Sequence, residues 1–421
     1  MTAIQEQTPA SAPETSAAAS LKASALDYVA RVRGGDVGSL PAVLGLAALT
    51  AVFAVLRPST FTNAFNFSNL IHQSAALIVI AMGLIFVLLL GEIDLSAGYA
   101  AGTGSAVMGI VLTRHGQPWE LAVLAGLATG AVIGACIGLL VSRLGIPSFV
   151  VTLAAFLGLQ GVLLQLIGEG GTIAVRDETL LALNNNNLSV TLGWLLFVVV
   201  IAAYAYVSLS RAVTRRKEGL TADPTSVVLA KVAVLAILLG GATLYLNMER
   251  SRNPLTNSVK GVPEVVVLLL VLLVALNFLL GRTAFGRHVY AVGGNAEAAR
   301  RSGINILQVR LICFVLCSTL AAVGGFLLAS YDNSISPSSG GSDTLLYAVG
   351  AAVIGGTSLF GGKGKMMDAV LGGLVIAVII NGMGLLNQKS SVVYIVTGIV
   401  LLVAASVDAL SRKKAMSTGR V

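Results

Sequence analysis

Long apolar runs alternate with short polar connectors along the whole chain. Twelve runs stand out, at 40–56, 70–90, 95–113, 120–142, 148–168, 188–210, 226–247, 263–280, 308–330, 344–359, 367–386 and 391–408. A helix that crosses a bilayer needs about 20 apolar residues, within a range of roughly 17–25, so the pattern predicts an all-α polytopic membrane protein with about 10–12 transmembrane helices. These would fill residues 39–410. The run at 344–359 is the shortest, and it ends in the glycine-rich stretch Gly355-Gly356-Thr357-Ser358-Leu359-Phe360-Gly361-Gly362. It predicts a half-helix or re-entrant piece, which is tolerated at membrane depth only where protein or a water-filled cavity surrounds it. Residues 1–38 are rich in Ala, Ser, Thr and Pro without a continuous apolar core. They read as a disordered tail rather than a cleaved signal peptide, and 411–421 as a short C-terminal tail.

Composition sharpens this. The 421 residues are 56% hydrophobic and only 11% charged, where a soluble domain carries about 25% charged residues. So few charges cannot cover a water-facing surface. The 47 glycines suit close helix packing in lipid. The net charge of +8 comes from basic residues in connectors, where they set membrane orientation rather than bind nucleic acid. With the N-terminus inside, nineteen of the 27 Lys and Arg fall on inner loops and flanks, seven fall outside and Lys231 lies within a run. That bias predicts a multi-pass protein of the cell membrane with both termini cytoplasmic. Cys136, Cys313 and Cys317 all lie in apolar runs and offer no disulfide framework. The polar connectors Gly168–Leu188, with its four asparagines from Asn184 to Asn187, and Tyr331–Ser342 are expected as solvated outer loops, although they are also placed to meet an external protein.

The connector 281–307 is the richest in motif. Asn295 is a good N-cap. Glu297 follows in the first turn, and Arg300 and Arg301 fall in the last, each where the helix dipole favours its charge. Ala298 and Ala299 propagate helix, and Gly303 suits the left-handed position beyond the end. Gly293 and Gly294 lead into this short helix, and Gly286 is expected to bend the chain upstream, next to Arg287. A pre-shaped helix that docks on a soluble partner and an ordinary well-capped loop both fit this pattern.

Three stretches carry a resemblance. Thr283–Asn305, reading TAFGRHVYAVGGNAEAARRSGIN, resembles the signature loop of the ribose/xylose/arabinose permease family of ABC sugar importers. The stretch GEIDLSAG at Gly91–Gly98, with Glu92, Asp94 and Ser96, and AAVIGGTSLFGGKG at Ala351–Gly364, with Gly355, Gly356 and Thr357, resemble the same family. Glu92, the basic loop Arg211–Glu218 and the apolar run after it resemble the xylose-type branch. Leu345, Tyr347 and Gly350 depart from it, standing where members usually carry an acidic run. The resemblance implies a homodimer of this chain in the lipid bilayer. It also implies cytoplasmic ATP-binding-cassette ATPase subunits, an extracytoplasmic sugar-binding protein and transport of xylose or a similar aldose by alternating access. On that reading Glu297, Arg300 and Arg301 orient the docking helix in the ATPase groove, and Ala298 and Ala299 allow close approach.

A sugar path needs polar partners along an apolar lining. Asn381, Tyr99, Thr103 and Gln160 are the leading candidates, each with hydrogen bonding to a neighbouring helix as its ordinary alternative. The scarcity of acids within the runs argues against an ion-coupled secondary sugar transporter, the competing function. Glu92 and Asp94 are expected at the membrane interface, with Asp94 capping the next helix. No catalytic constellation, metal spacing or cofactor motif is apparent. Gly361-Gly362-Lys363-Gly364 fails as a P-loop, because Thr357 holds the first glycine position and Gly364 follows the lysine. ATP hydrolysis is therefore expected from a separate chain.

Overall fold

The computed structural model describes residues 38–417, apart from 221, 252 and 257. All twelve apolar runs form helices: α1 (Leu40–Leu56), α2 (Ala64–Leu89), α3 (Ala97–Thr113), α4 (Trp119–Arg143), α5 (Ser148–Ile167), α7 (Val190–Lys217), α8 (Thr225–Leu246), α9 (Val265–Arg282), α12 (Ile306–Asp332), α13 (Ser342–Gly355), α14 (Met366–Leu385) and α15 (Ser390–Ser417). Connector helices α6 (Glu178–Asn185), α10 (Ala284–Gly294) and α11 (Ala296–Arg301) lie between them. Among the described residues nine helices are long and apolar enough to cross a membrane, while α1, α3 and α13 are shorter. The expected N-terminal tail, except Gly38, lies outside the described residues, as do 418–421. Helix α15 runs on through Ser417, past the boundary expected at 410.

In lipid, helices gain little from burying apolar surface against one another, so close backbone approach and van der Waals contact decide the packing. Helix α4 shows how. Gly126, Gly130, Gly134 and Gly138 recur every fourth residue, and that spacing puts them on one face. A side chain at Gly130 would stand 2.7 Å from the Ser318 carbonyl oxygen, and one at Gly138 would stand 2.9 Å from Leu311. Helix α12 therefore lies backbone-close against α4. On its other side α12 packs on α2, the central helix, whose spanning window is 83% buried. The hairpin α7–α8 sits outermost, its two helices packing chiefly on each other. Lys231, which falls within the apolar run 226–247, pairs with Asp223 at 2.6 Å.

Successive spans alternate in direction. Gly38 lies against Gly356, so α1 begins at the same end of the bundle as α11, and α15 finishes there. Two helices start inside the bundle rather than at its surface. Ahead of α3, residues Glu92–Ser96 are non-helical. The first turns of α3 lie at mid-depth: Ala101 packs on Gly325, and the adjacent Gly324 touches Ala76 and Ile80 near the midpoint of α2. Ahead of α13, Ser336–Gly341 runs inward along α3, from the level of Gly109 to that of Gly98. The 14 residues of α13 span only about 21 Å at 1.5 Å each, less than a bilayer core of about 30 Å. The expected half-helix is thus completed by a turn-rich segment, buried at Gly340 and Gly341 and exposed at Ser338.

At the end opposite α11, the expectation of solvated connectors holds only in part: Glu169, Gly170 and Asn186 are exposed, while Ile173, Leu180 and Asn184 are buried. Ile173–Ala174 (β1) pairs antiparallel with Ser334–Ile335 (β2). Asn184 is fully buried. Its side chain donates to the carbonyls of His72 at 3.1 Å and Leu327 at 3.2 Å, and its N–H donates to Ser330 Oγ at 3.0 Å. A buried amide needs such partners, so this loop is a structural plug. Nearby, the Arg250 guanidinium donates to the Gly261 carbonyl at 3.0 Å and to Asn187 Oδ1 at 2.9 Å. The Glu249 carboxylate organises the loop that follows. Hydrogen bonds from the Ser258 hydroxyl and from the backbone N–H groups of Ser251 and Val259 hold its pKa down to about 2, from an ordinary 4.5. A depressed carboxylate contributes stability above its unfolded pKa and loses it as pH falls through the folded one. Protection of the Val259 amide from hydrogen exchange should therefore be full above pH 4.5, weaken below it and vanish near pH 2. Glu249→Gln should abolish that pH dependence; collapse of protection already at pH 4.5 in the unsubstituted protein would contradict the assignment.

Candidate functional site

The connector 282–305 folds as two capped helices at one end of the bundle. Thr283 caps α10, its Oγ1 accepting from the Gly286 N–H at 3.2 Å. Asn295 caps α11, its Oδ1 accepting from the Ala298 N–H at 2.9 Å. Glu297 pairs with Arg300 at 2.9 Å and Arg301 at 3.2 Å. Gly303 takes φ +82°. Its N–H donates to the Arg300 carbonyl at 3.0 Å, and the Ile304 N–H donates to that of Ala299 at 3.1 Å, the double bond of a Schellman stop. One expected role changes. Ala299 is turned inward and only 4% exposed, because the stop folds Ile304 back over its side of the helix. The outward surface is Glu297, Ala298, Arg300 and Arg301. Gly286 does not bend the chain. It lies inside α10, where a side chain would run into the Leu280 carbonyl, and so lets α9 and α10 fold closely together.

All three signature stretches meet directly beneath. A side chain at Gly293 of α10 would collide with the Leu89 carbonyl and stand 2.8 Å from the Gly362 nitrogen. The Gly362 N–H donates to that same Leu89 carbonyl at 2.9 Å. Gly361, at φ +85°, would place a Cβ 2.8 Å from the Gly91 nitrogen and 2.9 Å from the Gly293 carbonyl. Tyr290 Oη donates to the Gly364 carbonyl at 2.8 Å. The joint between α10, the end of α2 and the turn 356–365 is therefore backbone against backbone. The turn itself is tied by Asp368, whose Oδ2 accepts from Thr357 Oγ1 at 3.0 Å and from the Lys365 N–H at 2.8 Å. Gly355 abuts the Asp368 carbonyl, and Gly356 takes φ +120°.

From Gly91 the chain re-enters the bundle. Glu92 pairs with Arg310 of α12 at 3.0 Å. The backbone of Ile93 is satisfied by side chains of α5: its carbonyl accepts from Thr152 Oγ1 at 3.2 Å, and its N–H donates to Ser148 Oγ at 3.4 Å. Asp94 is not at an interface, for it is fully buried. Its Oδ1 accepts from the Ser96 N–H at 2.9 Å and hydroxyl at 2.6 Å, while Ser96 holds the N-cap position of α3. Asp94 Oδ2 has no hydrogen-bond partner among the described residues, and the Cys317 thiol lies beside the carboxylate. Cys317 is level with Gly83, six residues or about 9 Å in from the end of α2.

Of the four path candidates, three come together. The Tyr99 hydroxyl meets the Gln160 side chain, and its ring stands edge-on to Phe156 with centroids 4.7 Å apart. Thr103 is one turn further along α3 on the same face, buried and without a hydrogen-bond partner among the described residues. Asn381 stands apart: its amide exchanges bonds of 3.0 and 2.9 Å with Asn66 of α2, and Asn66 also donates to the Phe61 carbonyl at 3.0 Å.

Comparison with known proteins follows this geometry. Residues 66–405 match the family described as branched-chain amino acid transport system / permease component. The chain belongs to that family. It is 34% identical over 372 residues to the xylose transport system permease protein XylH of Haemophilus influenzae, covering 88% of this chain and 96% of the relative. The ribose import permease protein RbsC of Escherichia coli is 30% identical, covering 87% and 92%. The fructose import permease protein FrcC of Rhizobium meliloti is 27% identical, covering 90% and 86%. No solved structure matches.

Within this permease the sequence reading missed Thr283, Tyr290, Gly361, Gly362 and Arg310. A hydroxyl four residues before Arg287 was a legible cap signal; the other contacts join residues far apart in sequence. The joint predicts a sharp contrast between adjacent glycines. Gly293→Ala should destabilise the purified permease by about 1–3 kcal/mol through overpacking. Gly294→Ala, with nothing within 4 Å, should stay within about 0.5 kcal/mol of the parent or above it. Equal melting midpoints for the two variants in detergent would refute the close contact. At the amide pair, Asn381→Leu alone strands a buried Asn66 and should cost about 1–3 kcal/mol, while the Asn66→Leu/Asn381→Leu double variant should recover most of the loss. A thermal-unfolding double-mutant cycle reads this directly.

Proposed function

We propose that this chain is the membrane-spanning subunit of an ATP-driven importer that carries xylose or a similar aldose by alternating access. The observation that carries the sugar class is the 34% identity to xylose permeases along 88% of the chain. The homodimer, the two ATPase subunits and the external sugar-binding protein belong to the same proposal. The described chain ends lie at the α11 end, and the excess of basic loops at that end favours a cytoplasmic location for it. Helix α11 then offers Glu297, Ala298, Arg300 and Arg301 to a groove on the ATPase. Movement of that groove passes to α10, and through the Gly293 joint to α2, the re-entrant Glu92–Ser96 segment and the turn 356–365. The chain itself hydrolyses nothing in this scheme.

A second reading, an ion-coupled sugar transporter, draws on one observation: the carboxylate of Asp94 fully buried within the bundle. Buried acids at membrane depth mark ion pathways elsewhere. Reconstitution decides between the two. Xylose uptake into vesicles should require ATP, the ATPase and the binding protein together; uptake by this chain alone that stops when the proton gradient is collapsed would favour the second. Ala298→Trp should leave the complex assembled and hydrolysing ATP while sugar uptake is lost. Normal uptake in that variant would remove α11 from the docking surface.

A further inference from the structure

At mid-depth, the turn-rich segment Ser336–Gly341 is seated on α3 in an unusual way. No side chain separates the two backbones. A Cβ at Gly98 would run into the Gly340 carbonyl and stand 2.8 Å from that of Gly341. A Cβ at Gly102 would run into the Ser339 carbonyl, and one at Gly340, itself at φ +71°, into the Gly98 carbonyl. Yet no hydrogen bond joins this segment to α3 among the described residues. Three of its N–H groups bond within the segment: the Ser339 N–H donates to the Ser336 carbonyl at 2.9 Å, the Ser336 N–H donates to Ser339 Oγ at 2.9 Å, and the Gly341 N–H donates to the Ser338 carbonyl at 3.1 Å. The contact is tight, but separating it breaks no strong bond, only van der Waals and Cα–H···O contacts that are individually weak.

Directly beside the seat stands the polar face of α3. Tyr99 Oη would lie 3.6 Å from a Cβ on Gly341 and meets Gln160. The Phe156 ring packs edge-on against Tyr99, and the buried Thr103 hydroxyl is without a hydrogen-bond partner among the described residues. A buried hydroxyl left unpaired is unfavourable unless some state of the protein supplies its partner. An aromatic face flanked by a phenol, an amide and a hydroxyl is chemistry suited to a neutral polyol.

We infer that Ser336–Gly341 is the mid-membrane gate of this permease, sealing on Gly98 and Gly102, and that Tyr99, Gln160 and Thr103 bind hydroxyls of the passing sugar when the segment lifts. The inference rests on the importer reading above and adds to it the place where the path closes. It also explains why two spans are broken where they meet. Backbone that is not tied into a helix can move without unwinding one, and such backbone is tolerated at membrane depth where protein or a water-filled cavity surrounds it.

The test uses the full assembly of permease, ATPase and binding protein in vesicles. Ser339→Cys is placed in a Cys136→Ala background, since Cys313 and Cys317 are buried. A membrane-impermeant thiol reagent should label Ser339→Cys slowly at rest. With ATP, xylose and binding protein, labelling should accelerate about tenfold or more, as a minor open state becomes well populated. Gly102→Ala, which props the seat, should label fast at rest and let preloaded xylose leak without ATP. Thr103→Val, nearly isosteric and unable to bond a sugar hydroxyl, should keep vesicles tight but lower xylose uptake. Labelling that is equal at rest and in turnover, with Gly102→Ala vesicles as tight and as active as the parent, overturns the gate. Unchanged uptake in Thr103→Val overturns the hydroxyl contact. Absence of ATP-driven uptake in the unsubstituted assembly is a separate outcome, which removes the importer reading and this inference with it.

Discussion

Backbone-to-backbone contact through glycine is the interaction on which this bundle depends. In lipid a helix does not gain from hiding leucine from water, because its surroundings are already apolar. Attraction comes from atoms brought close together, and the closest approach is available where no side chain intervenes. The four-residue glycine ladder of α4 lets α12 settle against it. With α12 fixed, α2 is enclosed and the core is set.

The same device recurs at the two places to which the proposals assign coupling and gating. At the α11 end, Gly91, Gly293, Gly361 and Gly362 draw three remote segments into one joint. At mid-depth, Gly98, Gly102 and Gly340 bring two broken spans together. The two places differ in how they are held. The joint carries real hydrogen bonds, Gly362 to Leu89 and Tyr290 to Gly364, and suits an element that transmits motion. The mid-depth seat carries none to its partner among the described residues and suits an element that separates. Between them lies Glu92–Ser96, pinned by Ser148, Thr152 and Arg310, so a displacement at the joint reaches the start of α3 through a short, well-tied stretch.

Polar side chains are used sparingly and locally. Asn184 plugs one end of the bundle with its whole hydrogen-bonding capacity. The Asn66–Asn381 pair fixes α2 to α14. Each is a residue type that is expensive in an apolar interior unless paired, and each is paired across a long sequence separation.

The sequence by itself determined the membrane setting, the twelve helices and the capped connector helix, because apolar run length and capping chemistry are local properties. Asn295, Glu297, Arg300, Arg301 and Gly303 act as their order along the chain implied. The half-helix at 344–359 was legible too, since so short an apolar run cannot reach across a bilayer by itself. Only the tertiary structure decided that Asn184 is buried rather than solvated, that Ala299 faces inward, that Asp94 lies inside the bundle and that Asn381 is taken up by Asn66. The reason is the same in each case. A helix periodicity says which residues share a face, but in a chain apolar on nearly every face it does not say which face meets which neighbour. That choice is made by glycine positions on two helices at once, and it exists only when both are packed.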